Sequence, residues 1–501
     1  MTQLFITLLL SFSGLFSGTS LAAGPFSDKE LQDELNQFRS NPKLFYSSLP
    51  PKKGAQSQLV DSGLKGRRVK QNQRAQIILA SDPWLRLSNP NGNDLAQNLL
   101  EDGAFISNIQ KLADSELLSG EIDIKPWSDD YWPFYKGGLA SRYSDGAFPR
   151  SQDWQENFDY YMAHPFFPIF ESGSAPSINS LSPAEKYDLV IGAKGGALTS
   201  KMWKEGAAYY AATGKVEFWM GICHGWAPAA YMQKRPQKSV EVLAFDGKTK
   251  IKFYPADIKG LTSLLWANAA TPVRFVGGRC NDEDPKVDSM GRPTSPDCLD
   301  TNPATWHLAI TNRVGVSKKS FIIDATYDYQ VWNQPVTSYT YTYFNPQTLN
   351  LTSSLDKAMI PITDFSEDKF KSYRSQGVKF VVGIKMQTTY LIENNPEQHD
   401  VEDPNTDTHA TASYTYDLEL DETGKIIGGE WYRNPHPDFL WTPTKDARAM
   451  AKNDYYLLGE PLWDGKQALP KTWQDHGRES ATNGQPLLKI IDSLITLSLE
   501  N

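Results

Sequence analysis

Trp219-Met-Gly-Ile-Cys223-His-Gly-Trp226-Ala-Pro-Ala-Ala230 is the stretch on which the fold turns, because it presents a cysteine at the boundary between a glycine-marked turn and a helix. Gly221 precedes the cysteine, and Trp226 to Tyr231 is helix-compatible provided that Pro228 falls in the first turn, where its missing N–H is not needed. The pattern predicts a helix with the Cys223 sulfur at its N-terminus. There the dipole and free backbone N–H groups stabilise a thiolate and lower the thiol pKa, and the same donors can stabilise an oxyanion. A buried, inert cysteine fits the local residues equally well. A nucleophile also needs a proton acceptor, which must be sought elsewhere in the chain.

The chain has 7 histidines. His224 is turned about 100° from its neighbour on a helix and is a poor direct partner for it. His164, His399, His409, His436 and His476 stand near prolines or acids in loop-like sequence, where structural or solvated roles suffice. His307 differs. If Thr305-Trp-His-Leu-Ala-Ile-Thr311 is a strand, Trp306, Leu308 and Ile310 take one face and His307 projects from the more polar one. The following Ser320-Phe-Ile-Ile-Asp324-Ala-Thr326 carries a carboxylate within an apolar run. An antiparallel hairpin turning through Val314-Gly-Val-Ser317 makes His307 and Asp324 direct cross-strand neighbours. A loop from Gly315 to Lys319 would instead put them on opposite faces, and Asp324 could also cap the turn after its strand. Cysteine on a helix N-terminus, with His and Asp on adjacent antiparallel strands, is the arrangement of papain-like and transglutaminase-like thiol enzymes. The expected fold class is therefore α+β with such a core. In it Cys223 attacks a carboxamide, His307 protonates the departing amine and Asp324 orients the imidazole.

Around this core, Ser27-x-x-Glu30 and Ser182-Pro-Ala-Glu185 are capping boxes that open helices. Val240 to Pro255 is a hairpin turning at Asp246-Gly247, and residues 378–391, 414–420 and 426–431 are expected strands. Residues 394–409 form an acidic, loop-like segment. Leu487 to Leu499 puts its leucines and isoleucines on one helical face and is a docking helix. The expected organisation is a signal peptide over 1–22, a helical N-terminal region with linker and prosegment over 23–115, a catalytic core over 116–345, and a β-rich region closed by the docking helix over 346–501.

With 50 Lys+Arg against 59 Asp+Glu in 501 residues, the formal net charge of -9 excludes an electrostatic nucleic-acid binder as the default. The apolar run Leu4 to Phe16 is too short and interrupted to span a bilayer, and Ser20-Leu-Ala22 has the small residues of a signal-peptidase site, so the chain is expected to be secreted or periplasmic. In an oxidising compartment the 3 cysteines leave one unpaired. Cys280 and Cys298 flank a Pro- and Gly-containing loop and form the expected disulfide, leaving Cys223 free. The stretch from Pro50 to Arg74, with Lys52, Lys53, Lys65, Arg67, Arg68 and Lys70, is a basic linker open to nicking.

Val331-Trp-Asn-Gln-Pro-Val336, placed directly after Asp324-Ala-Thr-Tyr-Asp328, resembles the start of the surface peptide by which plants sense the transglutaminase elicitor family of Phytophthora. The resemblance runs from Pro126-Trp127 and Tyr131-Trp-Pro133 through Gly221-x-Cys223-His-Gly-Trp-Ala227, Asp257-Ile-Lys259 and Asn302-Pro303 to Gly428-Gly-Glu-Trp431 and His436-Pro-Asp-Phe-Leu-Trp441. After Val336 the chain reads Thr-Ser-Tyr-Thr-Tyr-Thr where the family peptide is basic and glycine-containing, so the resemblance leaves recognition by plants open. The resemblance implies a calcium-assisted protein-glutamine γ-glutamyltransferase that joins glutamine to lysine side chains or small primary amines. Asp282, Glu283, Asp284 and Asp288 could supply oxygen ligands to calcium, although a solvated acidic loop fits them as well. A papain-like cysteine peptidase or amidase is the alternative. Walls of Trp219, Trp226, Trp306 and Trp332 would favour aminolysis over hydrolysis by excluding water, and a non-enzymatic surface module is the third reading. No H-E-x-x-H or C-x-x-C supports a metal hydrolase, and no segment beyond the leader suggests a membrane span.

Overall fold

The computed structural model describes residues 26–43, 95–100, 103–277, 286–289, 294, 301–326, 330–433 and 436–500. The expected signal peptide, the basic linker, the Cys280–Cys298 pair and Asp282, Glu283 and Asp284 lie outside these residues.

Both capping boxes open helices. Ser27 accepts from the Glu30 amide and starts Asp28–Ser40, which buries Leu31, Leu35 and Phe38. Ser182 and Glu185 cap each other reciprocally at the start of Pro183–Ile191. This helix, with Ala197–Thr213, Cys223–Met232, Pro255–Asn268, Lys471–Ala481 and Leu488–Leu499, surrounds one apolar core containing Trp132, Trp203, Trp226, Trp266 and Ile491. Cys223–Met232 and Pro255–Asn268 approach almost backbone to backbone. A Cβ on Gly225 would lie 2.1 Å from the Ser263 carbonyl oxygen, so only glycine permits the contact.

Every strand pairing is antiparallel among the described residues. Strands β2 (Val240–Leu243) and β3 (Lys250–Phe253) form the expected hairpin, with the Asp246 carboxylate accepting from the Lys248 and Thr249 amides in its turn. The main sheet follows the order β11-β10-β9-β6-β5-β12-β4. Its members are β4 (Val273–Gly277), β5 (Ile322–Asp324), β6 (Asn333–Phe344), β9 (Phe380–Ile392), β10 (Thr408–Leu420), β11 (Ile426–Trp431) and β12 (Phe439–Pro443). Beside this path β1 (Ser119–Glu121) and β7 (Leu351–Thr352) pair with β6, and β8 (Ile360–Pro361) pairs with β9. The protein is thus a mixed helix-and-sheet fold with an antiparallel sheet.

One expected strand is a helix, and this changes the site. Residues 303–310 form Pro303–Ile310, with Pro303 in the first turn and the Asn302 side chain accepting from the Ala304 amide at 2.9 Å. All eight residues are buried, so no polar face exists to give either period a signature. A π-helical segment, Thr311–Val316, continues it. The hairpin proposed to pair His307 with Asp324 therefore does not form, and the cross-strand partner of Asp324 is Asn333.

The acidic segment 394–409, which its loop-like sequence marks as mobile, is tied down at several points. Arg235 reaches Glu402 and Asp407, Lys259 reaches Glu402, and the Asn394 and Glu402 amides bond to the carbonyls of Asp129 and Gln237. Basic residues far away in sequence supply the ties.

Candidate active site

The Ile222 amide donates to the Tyr131 carbonyl at 2.7 Å, and the Gly225 and Trp226 amides return to the Ile222 carbonyl, so the turn closes with Cys223 as the first helical residue. A Cβ on Gly221 would meet the Tyr131 oxygen at 2.3 Å. Pro228 consequently sits inside the helix rather than in its first turn, removing the amide that would reach the His224 carbonyl.

The thiol is 5% exposed and faces the start of β6. Its sulfur lies 3.5 Å from Asn333 Nδ2 and 3.6 Å from the Val331 carbonyl oxygen. Trp441 on β12 fixes the amide: its indole Nε1 donates to Asn333 Oδ1 at 2.8 Å, and because an indole can only donate, the Asn333 NH2 is left to face the sulfur. Tyr131 packs edge-on against Trp332 with centroids 5.1 Å apart. Asp324 Oδ1 accepts from the Trp332 amide at 3.0 Å and from the Thr326 amide and hydroxyl, so this carboxylate organises the turn that leads into β6. Behind it, Gln334 Nε2 donates to both oxygens of Glu393 at 2.9 Å, and burial pushes the Glu393 carboxyl up to about 7.

Electrostatically the thiol departs from expectation. Burial pushes Cys223 up to about 12; the hydrogen bond from Asn333 pulls the other way, while the charges of Glu393 and Asp324 reinforce the rise. The helix terminus was expected to lower this pKa, but it is itself buried, so desolvation prevails.

The structure puts Asp324 across from Asn333, the residue that faces the thiol, and it places His307 elsewhere. His307 is fully buried between Pro303–Ile310 and the sheet, with Nδ1 2.8 Å from Tyr416 Oη and its ring edge-on to Tyr341. Burial alone drops its pKa to about 3, so the ring is neutral, and its Nε2 has no hydrogen-bond partner among the described residues. No hydrogen bond joins it to Cys223. Of the four expected tryptophan walls, Trp226 and Trp306 are wholly buried core residues, with Trp226 donating to the Trp127 carbonyl. Trp332 flanks the site itself. Asn333 and Trp441 carry no expected role, and nothing local in the sequence announces that they meet.

Among the described residues no group of three or more His, Cys, Asp or Glu gathers to hold a metal ion. Asp288, from the expected calcium loop, accepts a hydrogen bond from Tyr373 at 2.5 Å. No helix among the described residues is long and apolar enough to cross a membrane.

A cysteine at a helix start, held against an oriented amide on an antiparallel strand, defines the chain as a mixed α and β protein with a candidate thiol site. The profile of the Transglutaminase elicitor family matches residues 102–453, the greater part of the sequence, and the chain belongs to that family. Among solved structures, the crystal structure of the GP42 transglutaminase from Phytophthora sojae is similar at 20% identity, covering 75% of this chain and 94% of that one with a TM-score of 0.46. No curated protein sequence matches.

Proposed function

We propose that this chain is a secreted protein-glutamine γ-glutamyltransferase acting through a Cys223 thioester. The observation that carries the reading is the Cys223 sulfur at the first position of its helix, facing the Asn333 NH2 that Trp441 holds in place. Attack of the sulfur on a glutamine carboxamide creates an oxyanion, for which the Asn333 NH2 beside the sulfur is the donor. Collapse of that intermediate expels ammonia, and a lysine amine then takes the acyl group from sulfur, forming an isopeptide bond and regenerating the thiol. Asp324 and His307 remain the proposed partners in proton transfer. Asp324 is supported by its place directly across the strand pair from Asn333, whose amide faces the thiol. A role for His307 requires it to exchange the Tyr416 bond for one to the sulfur.

The test is incorporation of a fluorescent primary amine into a glutamine-bearing protein, with ammonia release followed in parallel. The wild type is expected to do both, and Cys223→Ala to lose both by a factor of about a thousand or more. Cleavage of backbone amides with indifference to added amine would move the chain to the alternative of a cysteine peptidase.

A further inference from the structure

On the helical side of the molecule, the loop Gly192-Ala-Lys-Gly-Gly196 links Pro183–Ile191 to Ala197–Thr213 and borders an open cavity of about 430 Å3. Lys194, Lys201, Lys204 and Arg478 line it, Ser200 and Thr482 add hydroxyls, and none of its lining residues is an acid. Four cations sharing one concavity run against the net charge of -9 carried by the whole chain.

Their existing partners leave charge to spare. Lys201 pairs with Glu205 at 2.6 Å, and Arg478 bonds to Asp475 and, at 2.7 Å, to the Ile191 carbonyl. Lys194 lies over the rings of Phe167 and Phe245, and both it and Lys204 are exposed with no ion pair among the described residues. Gly192 takes a left-handed φ of 70°, and a Cβ there would press on Phe245 Cβ at 3.1 Å and Gln474 Oε1 at 3.2 Å. The buried Asp188 already occupies the Leu198 and Thr199 amides at the helix start, so the surplus positive charge belongs to the side chains around the cavity.

We infer that this cavity binds a tetrahedral oxyanion, a phosphate or sulfate group either free or carried on a small sugar. Ammonium groups around the cavity, beside a guanidinium already held by Asp475 and the Ile191 carbonyl, can each reach a different oxygen of a tetrahedral group, whereas a planar carboxylate offers only two. The inference does not rest on the proposed thiol chemistry.

Calorimetric titration of the full chain at low, constant ionic strength tests it, using inorganic phosphate in one arm and a sulfated disaccharide in the other. Saturable one-to-one binding of either probe is expected, and comparing the arms separates a free ion from a carried group. Lys194→Gln with Lys204→Gln should weaken that binding by about tenfold or more. Because both lysines are exposed, the double variant should melt at the wild-type temperature without ligand. Arg478→Lys, which keeps the charge at the cavity wall, should weaken binding less. The inference is overturned if neither probe binds, or if the double variant binds as tightly as the wild type.

Discussion

A thiol at the start of a helix is acidified by nearby amides and made less acidic by removal from water, and at Cys223 the second influence prevails. The resting site therefore holds a neutral thiol, raised to about 12. A measurable consequence follows from the sign of the shift. Since only the thiolate is alkylated, modification of the Cys223 peptide by iodoacetamide, read by mass spectrometry, should keep rising by about tenfold per pH unit from about pH 7 to 10. An ordinary thiol levels off near pH 9; a plateau at or below that point would contradict the buried, neutral thiol. The cysteine itself was legible because Gly221 and the helix-compatible residues after it stand beside it in sequence. Asn333 was not, since its role depends on a contact made 110 residues further along the chain and on an indole from a third element.

At the scale of elements, signals confined to a few neighbouring residues were legible. Ser27 with Glu30, Ser182 with Glu185 and the Asp246-Gly247 turn each satisfy backbone groups locally, and each lies where the sequence placed it. Pro303–Ile310 was misread because a segment buried all round has no amphipathic period, although Asn302-Pro303 carried a helix-start signal that the apparent alternation overrode. With a helix in place of that strand, neither the hairpin nor the His307–Asp324 pair can form. The helix bearing Cys223 is positioned differently, by the glycine contact with Pro255–Asn268. Gly225→Ala would drive a methyl to within 2.1 Å of the Ser263 carbonyl and force the two helices apart. A loss of about 1–3 kcal/mol is expected from such overpacking, seen as a lower urea midpoint together with reduced amine incorporation. Gly146→Ala, where a Cβ meets nothing within 4 Å, is the control that should leave both unchanged.

Across the whole molecule, ties between distant segments are concentrated at buried polar groups, and these make stability depend on pH. Asp129 joins three parts of the chain: its carboxylate accepts from Trp132 Nε1 at 3.0 Å and from the Ser263 hydroxyl at 3.2 Å, and its carbonyl accepts from the Asn394 amide. Burial raises this carboxyl to about 7 against the partial opposition of the Trp132 hydrogen bond and the Lys259 charge. A folded-state pKa above the unfolded value of about 3.9 means that, between the two, the native chain holds a proton that the unfolded chain has released. Its contribution to stability is fully present below about pH 4 and is lost as pH rises through about 7. Asp188, raised to about 7 by the same cause, adds a slope of the same sign. Asp129→Asn keeps an oxygen that can accept from both Trp132 and Ser263 but cannot ionise. The urea midpoint of the variant should therefore fall less steeply than that of the wild type between about pH 5 and 7.5, with the residual slope assigned to Asp188 and the other titrating groups. Equal slopes in the two proteins would mean that Asp129 is ionised in the native state throughout that range, with Lys259 and its hydrogen bonds outweighing burial.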